Sequence, residues 1–424
     1  MSKADKTTPP ISGDYRSDAH SFSQFWQQAP TVDTARAARE RFLAAHVETL
    51  YRALTNDLRS FIRVERLVHD AARAVLGLVP SADALAAENA LEQKSKRGLE
   101  IDHGIFLAHV LGNPTTGAHL CHAMLLPRPE ALARLDEFRT NGKIEFATAT
   151  IERRGCAAIV TLRNPRFLNA EDGATIDDSE IAIDLATLDP ESAVAVLRGG
   201  VVEHPKYLGK PIFSAGINLT HLYRGKIPFF WYMQRDMGLV NKIFRGLARE
   251  DITPDEVNGD TIEKPWIAAV DGFAIGGGCQ LLLAMDYIVA ASDAYMTLPA
   301  RKEGIIPGAA NLRLPRFVGD RIARQAILYG RRLDCDTPEG RLICDEIAPP
   351  DGVDAAVDRV VEGLTGSGIV SAAGNRRALR VAQEPLDLFR RYMAVYAREQ
   401  AQCHFSPALI ENLEKYWNAA QRKP

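Results

Sequence analysis

At 424 residues, with 46% apolar and 25% charged side chains, the chain has the composition of ordinary globular protein, long enough for more than one domain and unlike a disordered or fibrous sequence. A formal net charge of −3 and a pI near 6.4 supply no general attraction for nucleic acid or an anionic membrane, so any anionic ligand must be met by local basic groups. Met1 to Arg16 is polar, carries Pro9-Pro10 and lacks the apolar core of a secretory signal. No later run has the uncharged apolar length a bilayer requires, so a cytoplasmic chain with neither nucleic-acid nor membrane partners is expected.

Residues 1–25 read as a disordered lead. Residues 26–142 read as an all-helical N-terminal domain. Leu43, Val47, Leu50, Tyr51 and Leu54 fall on one helical stripe, and Val64, Leu67, Val68, Ala71 and Val75 repeat it. His119 and His122 flank Cys121, but no second ligand cluster lies nearby, and structural roles are expected in place of a metal site. The other cysteines, Cys156, Cys279, Cys335, Cys344 and Cys403, are scattered and expected to be reduced.

After Asn141-Gly142 the period changes. Strand-like runs at 144–148 and 157–162 flank the Arg153-Arg154-Gly155 turn, and further strands are predicted at 193–197, 211–214, 266–270 and 287–291. Helices are predicted after Ser179, over 230–248 and after Gly278. This α/β alternation defines a catalytic core over 143–350, followed by a helical C-terminal region over 351–424.

Two stretches combine a strand, a glycine turn and a helix start: Ile212-Phe213-Ser214-Ala215-Gly216-Ile217-Asn218, and Ala269-Val270-Asp271-Gly272-Phe273-Ala274-Ile275-Gly276-Gly277-Gly278-Cys279-Gln280. Glycine lets a backbone N–H approach a ligand oxygen, and at a helix start that N–H lacks an intrahelical partner. The glycine run alone is weak evidence of function, since three glycines also serve tight packing or a turn.

The two stretches in this order, with Arg163-Asn164-Pro165-Arg166-Phe167-Leu168-Asn169-Ala170 before them and Gly304-Ile305-Ile306-Pro307-Gly308-Ala309 after them, resemble the crotonase (enoyl-CoA hydratase/isomerase) family over about residues 144–348. The resemblance implies a ββα spiral core, an acyl-CoA substrate and a homo-oligomer, trimeric or hexameric. It also implies an oxyanion hole made by the Ile217 and Gly277 amides. Arg166 and the turn Ser214, Ala215, Gly216 and Asn218 would lie along coenzyme A.

Departures from the family pattern bear on the reaction. The family's hydratases place glutamates where this sequence has Gln280 and Ala300. A neutral amide and a methyl cannot do general acid/base work. Gln280 therefore stands with Ile217 and Gly277 in a catalytic set that can hold an enolate but cannot hydrate it. An enolate in a dry pocket can pass an electron to O2 without a metal. These features resemble the family's cofactor-independent arylacetyl-CoA dioxygenases of glycopeptide-antibiotic pathways. That implies conversion of a dihydroxyphenylacetyl thioester and O2 to the arylglyoxylate and free coenzyme A, with no cofactor. Another acyl-CoA reaction of the family, with Glu171 or another base, and a non-catalytic coenzyme A-binding module are the alternative readings.

Glu171 and Arg235 are the candidates for reading the ring hydroxyls. A helix-start carboxylate and a surface salt bridge with Asp236 or Glu250 are the plain alternatives for them. Ile306 is expected to line the pocket. His204, Lys206 and Tyr207, in an apparent insertion at 203–210, either reach coenzyme A or form a solvated hairpin. Arg376, Arg377 and Arg380 either meet the 3′-phosphate, with Arg380 the selected candidate, or sit on a solvated face.

Overall fold

The computed structural model describes residues 8–257, 259–366 and 369–422. Its centre is a seven-stranded sheet. In spatial order the strands are β1 (Lys143–Glu145), β2 (Ala149–Arg154), β3 (Ala157–Leu162), β4 (Val194–Gly199), β5 (Trp266–Val270), β7 (Tyr287–Ala291) and β10 (Glu346–Ala348), numbered along the chain. The first three are antiparallel neighbours; from β3 onward every pairing is parallel. Parallel strands are covered on both faces, which is why β3, β4 and β5 are near-continuous apolar runs without polar alternation. Helices Gly173–Leu188 and Val353–Thr365 pack on this sheet. A second sheet of β6 (Phe273–Ile275), β8 (Tyr295–Thr297) and β9 (Leu333–Asp334) leads into the glycine run.

The strands expected at 157–162, 266–270 and 287–291 form over those residues. Residues 211–214 do not form a strand: the segment makes only isolated bridges, Val201 with Pro211 and Ser214 with Ala274, because it is already turning toward Gly216. The run at 144–148 stops at Glu145, where Phe146 N–H turns back onto Ala149 O at 2.8 Å to start β2.

The N-terminal lead also needs correction. Residues 1–7 lie outside the described residues, but Tyr15–Gln27 is a helix, capped by Asp14 and docked on helix Val32–Leu54. Phe22 packs on Phe42 with ring centroids 5.5 Å apart, and Asp18 pairs with the buried His46 at 2.7 Å. The signal was the Phe22, Phe25, Trp26 stripe, hidden in a polar composition. Nor does residue 142 divide the core, since one apolar cluster runs from Phe22 through β4 to Ala419. Helix Ile101–Gly112 lies so close to helix Leu386–His404 that a Cβ on Gly104 would stand 2.7 Å from Ala397 O.

The predicted helix over 230–248 is built from Phe230–Gln234, a π-helical segment Arg235–Val240, and Asn241–Arg245. A π-segment is rare and recurs at functional sites. Here it begins at Arg235. Among the described residues no helix is long and apolar enough to cross a membrane.

Candidate active site

Two turns come together at the end of the small sheet. Ser214 Oγ donates to Asn169 O at 2.9 Å and accepts from Gly216 N–H at 3.0 Å, fixing the first turn. Gly216 has φ +77°, and a Cβ there would meet Ile275 O at 2.5 Å and Gly277 N at 2.8 Å. Glycine is what lets the two turns touch. Ile275 N–H donates to Ser214 O at 2.9 Å and ties them together. In the second turn Gly276 (φ +51°) precedes helix Gly277–Leu282, whose first amide has no intrahelical acceptor. Among the described residues neither the Ile217 nor the Gly277 N–H makes a backbone hydrogen bond. The two amides are thus neighbouring, unsatisfied donors, the local requirement for holding an oxyanion.

Behind them lies a buried ion cluster. Arg235 reaches Glu171 with two parallel bonds, Nε to Oε1 and Nη2 to Oε2, each 2.9 Å. Its Nη1 donates to Asp236 Oδ1 at 2.9 Å and to Gln280 Oε1 at 2.8 Å, and Nη2 also donates to Gly277 O at 2.8 Å. Every guanidinium N–H is therefore used. Burial opposes the Arg235 charge, but Glu171 and Asp236 more than offset it and its pKa is raised. Burial raises the Asp236 pKa against the opposing pull of Arg235 and a hydrogen bond from Tyr396. Gly277 and Gly308 make room for these carboxylates: a Cβ on Gly277 would lie 2.1 Å from Glu171 Oε2, and one on Gly308 1.7 Å from Asp236 Oδ2.

A narrow cavity of about 20 Å³ opens among Ile217, Gly277, Glu171, Gln280, Ala300 and Ile306, space on the scale of a water molecule. Ile306 is held there by its N–H, which donates to Gln400 Oε1 at 2.8 Å, and Tyr392 Oη accepts from Ala309 N–H at 2.9 Å. Both partners come from helix Leu386–His404. Glu303 also lines the cavity. It is buried, its carboxyl makes no hydrogen bond or ion pair among the described residues, and burial alone pushes its pKa up to about 7.

The cavity meets a groove of about 660 Å³. Arg166, Lys206, Lys302 and Arg422 line it, with Tyr207, Tyr295, Tyr416 and Trp417 supplying aromatic faces. Glu303 is the sole carboxylate among its lining residues, so the groove is basic.

The profile of the enoyl-CoA hydratase/isomerase family matches residues 152–389. The chain belongs to that family. It is 48% identical over 371 residues to a (3,5-dihydroxyphenyl)acetyl-CoA 1,2-dioxygenase of Amycolatopsis orientalis, covering 87% of this chain and 84% of that one. Among solved structures it is similar to a carnitinyl-CoA hydratase of Mycobacterium avium, with a TM-score of 0.52 and 25% identity over 66% of this chain and 98% of the other. An enoyl-CoA hydratase of Mycobacterium avium subsp. paratuberculosis shares the fold, with a TM-score of 0.52 and 24% identity over 63% of this chain and 98% of the other.

Within this crotonase frame the structure brings Ile217, Gly277, Gln280, Glu171, Arg235 and Ile306 around one cavity, and Arg166, His204, Lys206, Tyr207, Ala215 and Asn218 along one groove. Three expectations change. Ser214 is fully buried and builds the turn without lining the groove, and the equally buried Gly216 serves the close approach described above. Arg380 is buried, gives both guanidinium ends to Glu263 at 2.9 and 2.7 Å, and lies outside the groove lining. Arg235 has no donor left for a ring hydroxyl. Its ion pair with Asp236 exists, but buried and not at the surface.

Sequence reasoning missed Glu303, Asp236, Lys302 and the C-terminal groove wall, Leu413 to Arg422. Glu303 had a legible signal, its place three residues after Ala300 on one helix. The C-terminal wall had none, because only the fold brings it beside Arg166. His119 and His122 are occupied structurally: His119 bonds Tyr51 Oη at 2.8 Å and Leu58 O at 3.0 Å, and His122 bonds Arg249 O at 2.9 Å.

Proposed function

We propose that this enzyme converts 3,5-dihydroxyphenylacetyl-CoA and O2 to 3,5-dihydroxyphenylglyoxylate and coenzyme A, using no metal or organic cofactor. The carrying observation is an oxyanion pair beside a small cavity in which the positions of the hydratase glutamates hold Gln280, its Oε1 turned to Arg235, and Ala300. Identity to the Amycolatopsis dioxygenase over most of both chains supports the same reading.

The thioester oxygen binds at the Ile217 and Gly277 amides, and loss of one α-proton gives an enolate whose charge those donors stabilise. With no water-activating glutamate pair, the enolate gives one electron to O2 and the two radicals combine at the α-carbon. The peroxide attacks the thioester carbon and expels the thiolate. The O–O bond then breaks as the second α-proton leaves, so both atoms of O2 end in the α-keto acid. Glu171, held by Arg235, keeps lone pairs to accept from a ring hydroxyl. The basic groove takes the phosphates. A cytoplasmic trimer or hexamer belongs to this reading on the family resemblance.

Oxygen uptake with this thioester in the presence of a chelator tests the reading. Uptake matched by thiol release is expected; a strict requirement for added iron or flavin would overturn it. Arg166→Ala should weaken coenzyme A binding on the order of five-fold at low salt, with the difference shrinking at high ionic strength, as titration calorimetry would show.

A further inference from the structure

The reaction requires a base for the α-proton, and neither usual glutamate is present. Of the ionisable side chains lining the inner cavity, Glu171 is held at both oxygens by Arg235, and Asp236 is engaged by Arg235 and Tyr396. Arg235 is a cation, and burial raises the pKa of both Tyr232 and Tyr396, which keeps them protonated. Glu303 differs from all of these, since its carboxyl makes no hydrogen bond or ion pair among the described residues.

Its location is equally particular. Ile217 and Glu303 are the two residues that line both the inner cavity and the basic groove. A thioester whose oxygen is held at Ile217 must pass between those spaces, with its α-carbon on the cavity side and its sulfur on the groove side. Glu303 faces the same junction. It stands on helix Ala300–Glu303, three residues beyond Ala300, so the two side chains share one face of that helix. A carboxylate one turn along thus replaces the one missing at Ala300.

We propose that Glu303 is the base that removes the α-protons of the acyl-CoA substrate, an inference that rests on the dioxygenase reading for its second step only. In the first step the α C–H bond breaks, its electron pair delocalises onto the thioester oxygen at Ile217 and Gly277, and the proton forms an O–H bond on Glu303. When the thiolate is expelled into the groove it takes that proton from Glu303 and leaves as the thiol. The second α-proton passes to the regenerated carboxylate as the O–O bond cleaves, and from there along the groove to solvent. One proton on sulfur and one in solvent account for both α-hydrogens. A base at the mouth, not deep in the cavity, removes each proton from the neighbourhood of the enolate.

The test uses the full-length enzyme with 3,5-dihydroxyphenylacetyl-CoA. Two rates are measured for wild type, Glu303→Gln and Glu303→Asp: anaerobic exchange of α-protons in D2O by mass spectrometry, and aerobic O2 uptake. Glu303→Gln should lower both by about 100-fold or more while thioester affinity is kept, and Glu303→Asp, which retains a carboxylate, should recover part of the loss. Exchange by Glu303→Gln at the wild-type rate would overturn the proposal, as would Glu303→Asp no better than Gln. If wild type exchanges, Glu303→Gln does not, and neither takes up O2, Glu303 is the base and the dioxygenase reading fails. If both take up O2 equally, that reading stands and Glu303 is not the base.

Discussion

Alanine at Gly277 should lower kcat by on the order of 1,000-fold or more, the largest loss expected of any single methyl in this protein. The added carbon would lie 2.1 Å from Glu171 Oε2 and 3.0 Å from Arg235 Nη2, so the carboxylate, the guanidinium or the turn must move. If the turn moves, the amide proposed to hold the thioester oxygen moves with it, and loss of one such donor alone costs about 100- to 1,000-fold. If Glu171 moves, its paired bonds to Arg235 break and the proposed acceptor for the ring is displaced. Steady-state kinetics with the dihydroxyphenyl thioester would read the loss. Gly374→Ala is the control: it lies in helix Ile369–Gln383, an added Cβ meets nothing within 4 Å, and activity should be unchanged.

Arg235→Ala should destabilise the fold by about 3–5 kcal/mol and remove activity toward every aryl thioester. The side chain makes bonds to Glu171, Asp236, Gln280 and the Gly277 carbonyl, all 2.8–2.9 Å long. Its removal leaves two carboxylates buried without a counter-ion, one of them raised in pKa by burial even with Arg235 present. Lysine would not restore it, because a point charge cannot replace the planar fork. Denaturant melts would show the stability change. Glu171→Gln separates ring recognition from this structural role. It keeps one oxygen acceptor but puts an amide NH2 donor where the second carboxylate oxygen stood, and the preference for the dihydroxyphenyl thioester over the unsubstituted phenylacetyl thioester should fall by about 10- to 100-fold. An unchanged preference would show that Glu171 does not meet the ring.

What was legible in the sequence and what was not follow from range. Strands β3, β5 and β7 were readable because burial on both faces demands uninterrupted apolar runs. The two glycine turns were readable because a close approach of backbones demands glycine at fixed places. Residues 211–214 have the composition of a strand but must turn within a few residues, and local propensity carries no record of that tertiary demand. The Tyr15–Gln27 helix was lost for the opposite reason, since its burial comes from Phe42 and His46 on the next helix, not from its own mean polarity. Arg380 illustrates the limit for charges: an arginine is equally at home on a phosphate or on a buried Glu263, and only the fold decides which. Glu303 lies one turn beyond Ala300 on the same short helix, a spacing the sequence shows, but its place where the cavity meets the groove depends on the fold.

In the proposed reaction the anion held by Ile217 and Gly277 is handed to O2, not to a proton or to water. Turnover of 3,5-dihydroxyphenylacetyl-CoA under 18O2 with a chelator present, followed by mass spectrometry of the keto acid, tests it most directly. Two labelled atoms in each product molecule, matched by one free thiol, are the predicted result. A product carrying one labelled atom or none, or the same product formed without oxygen, would contradict it.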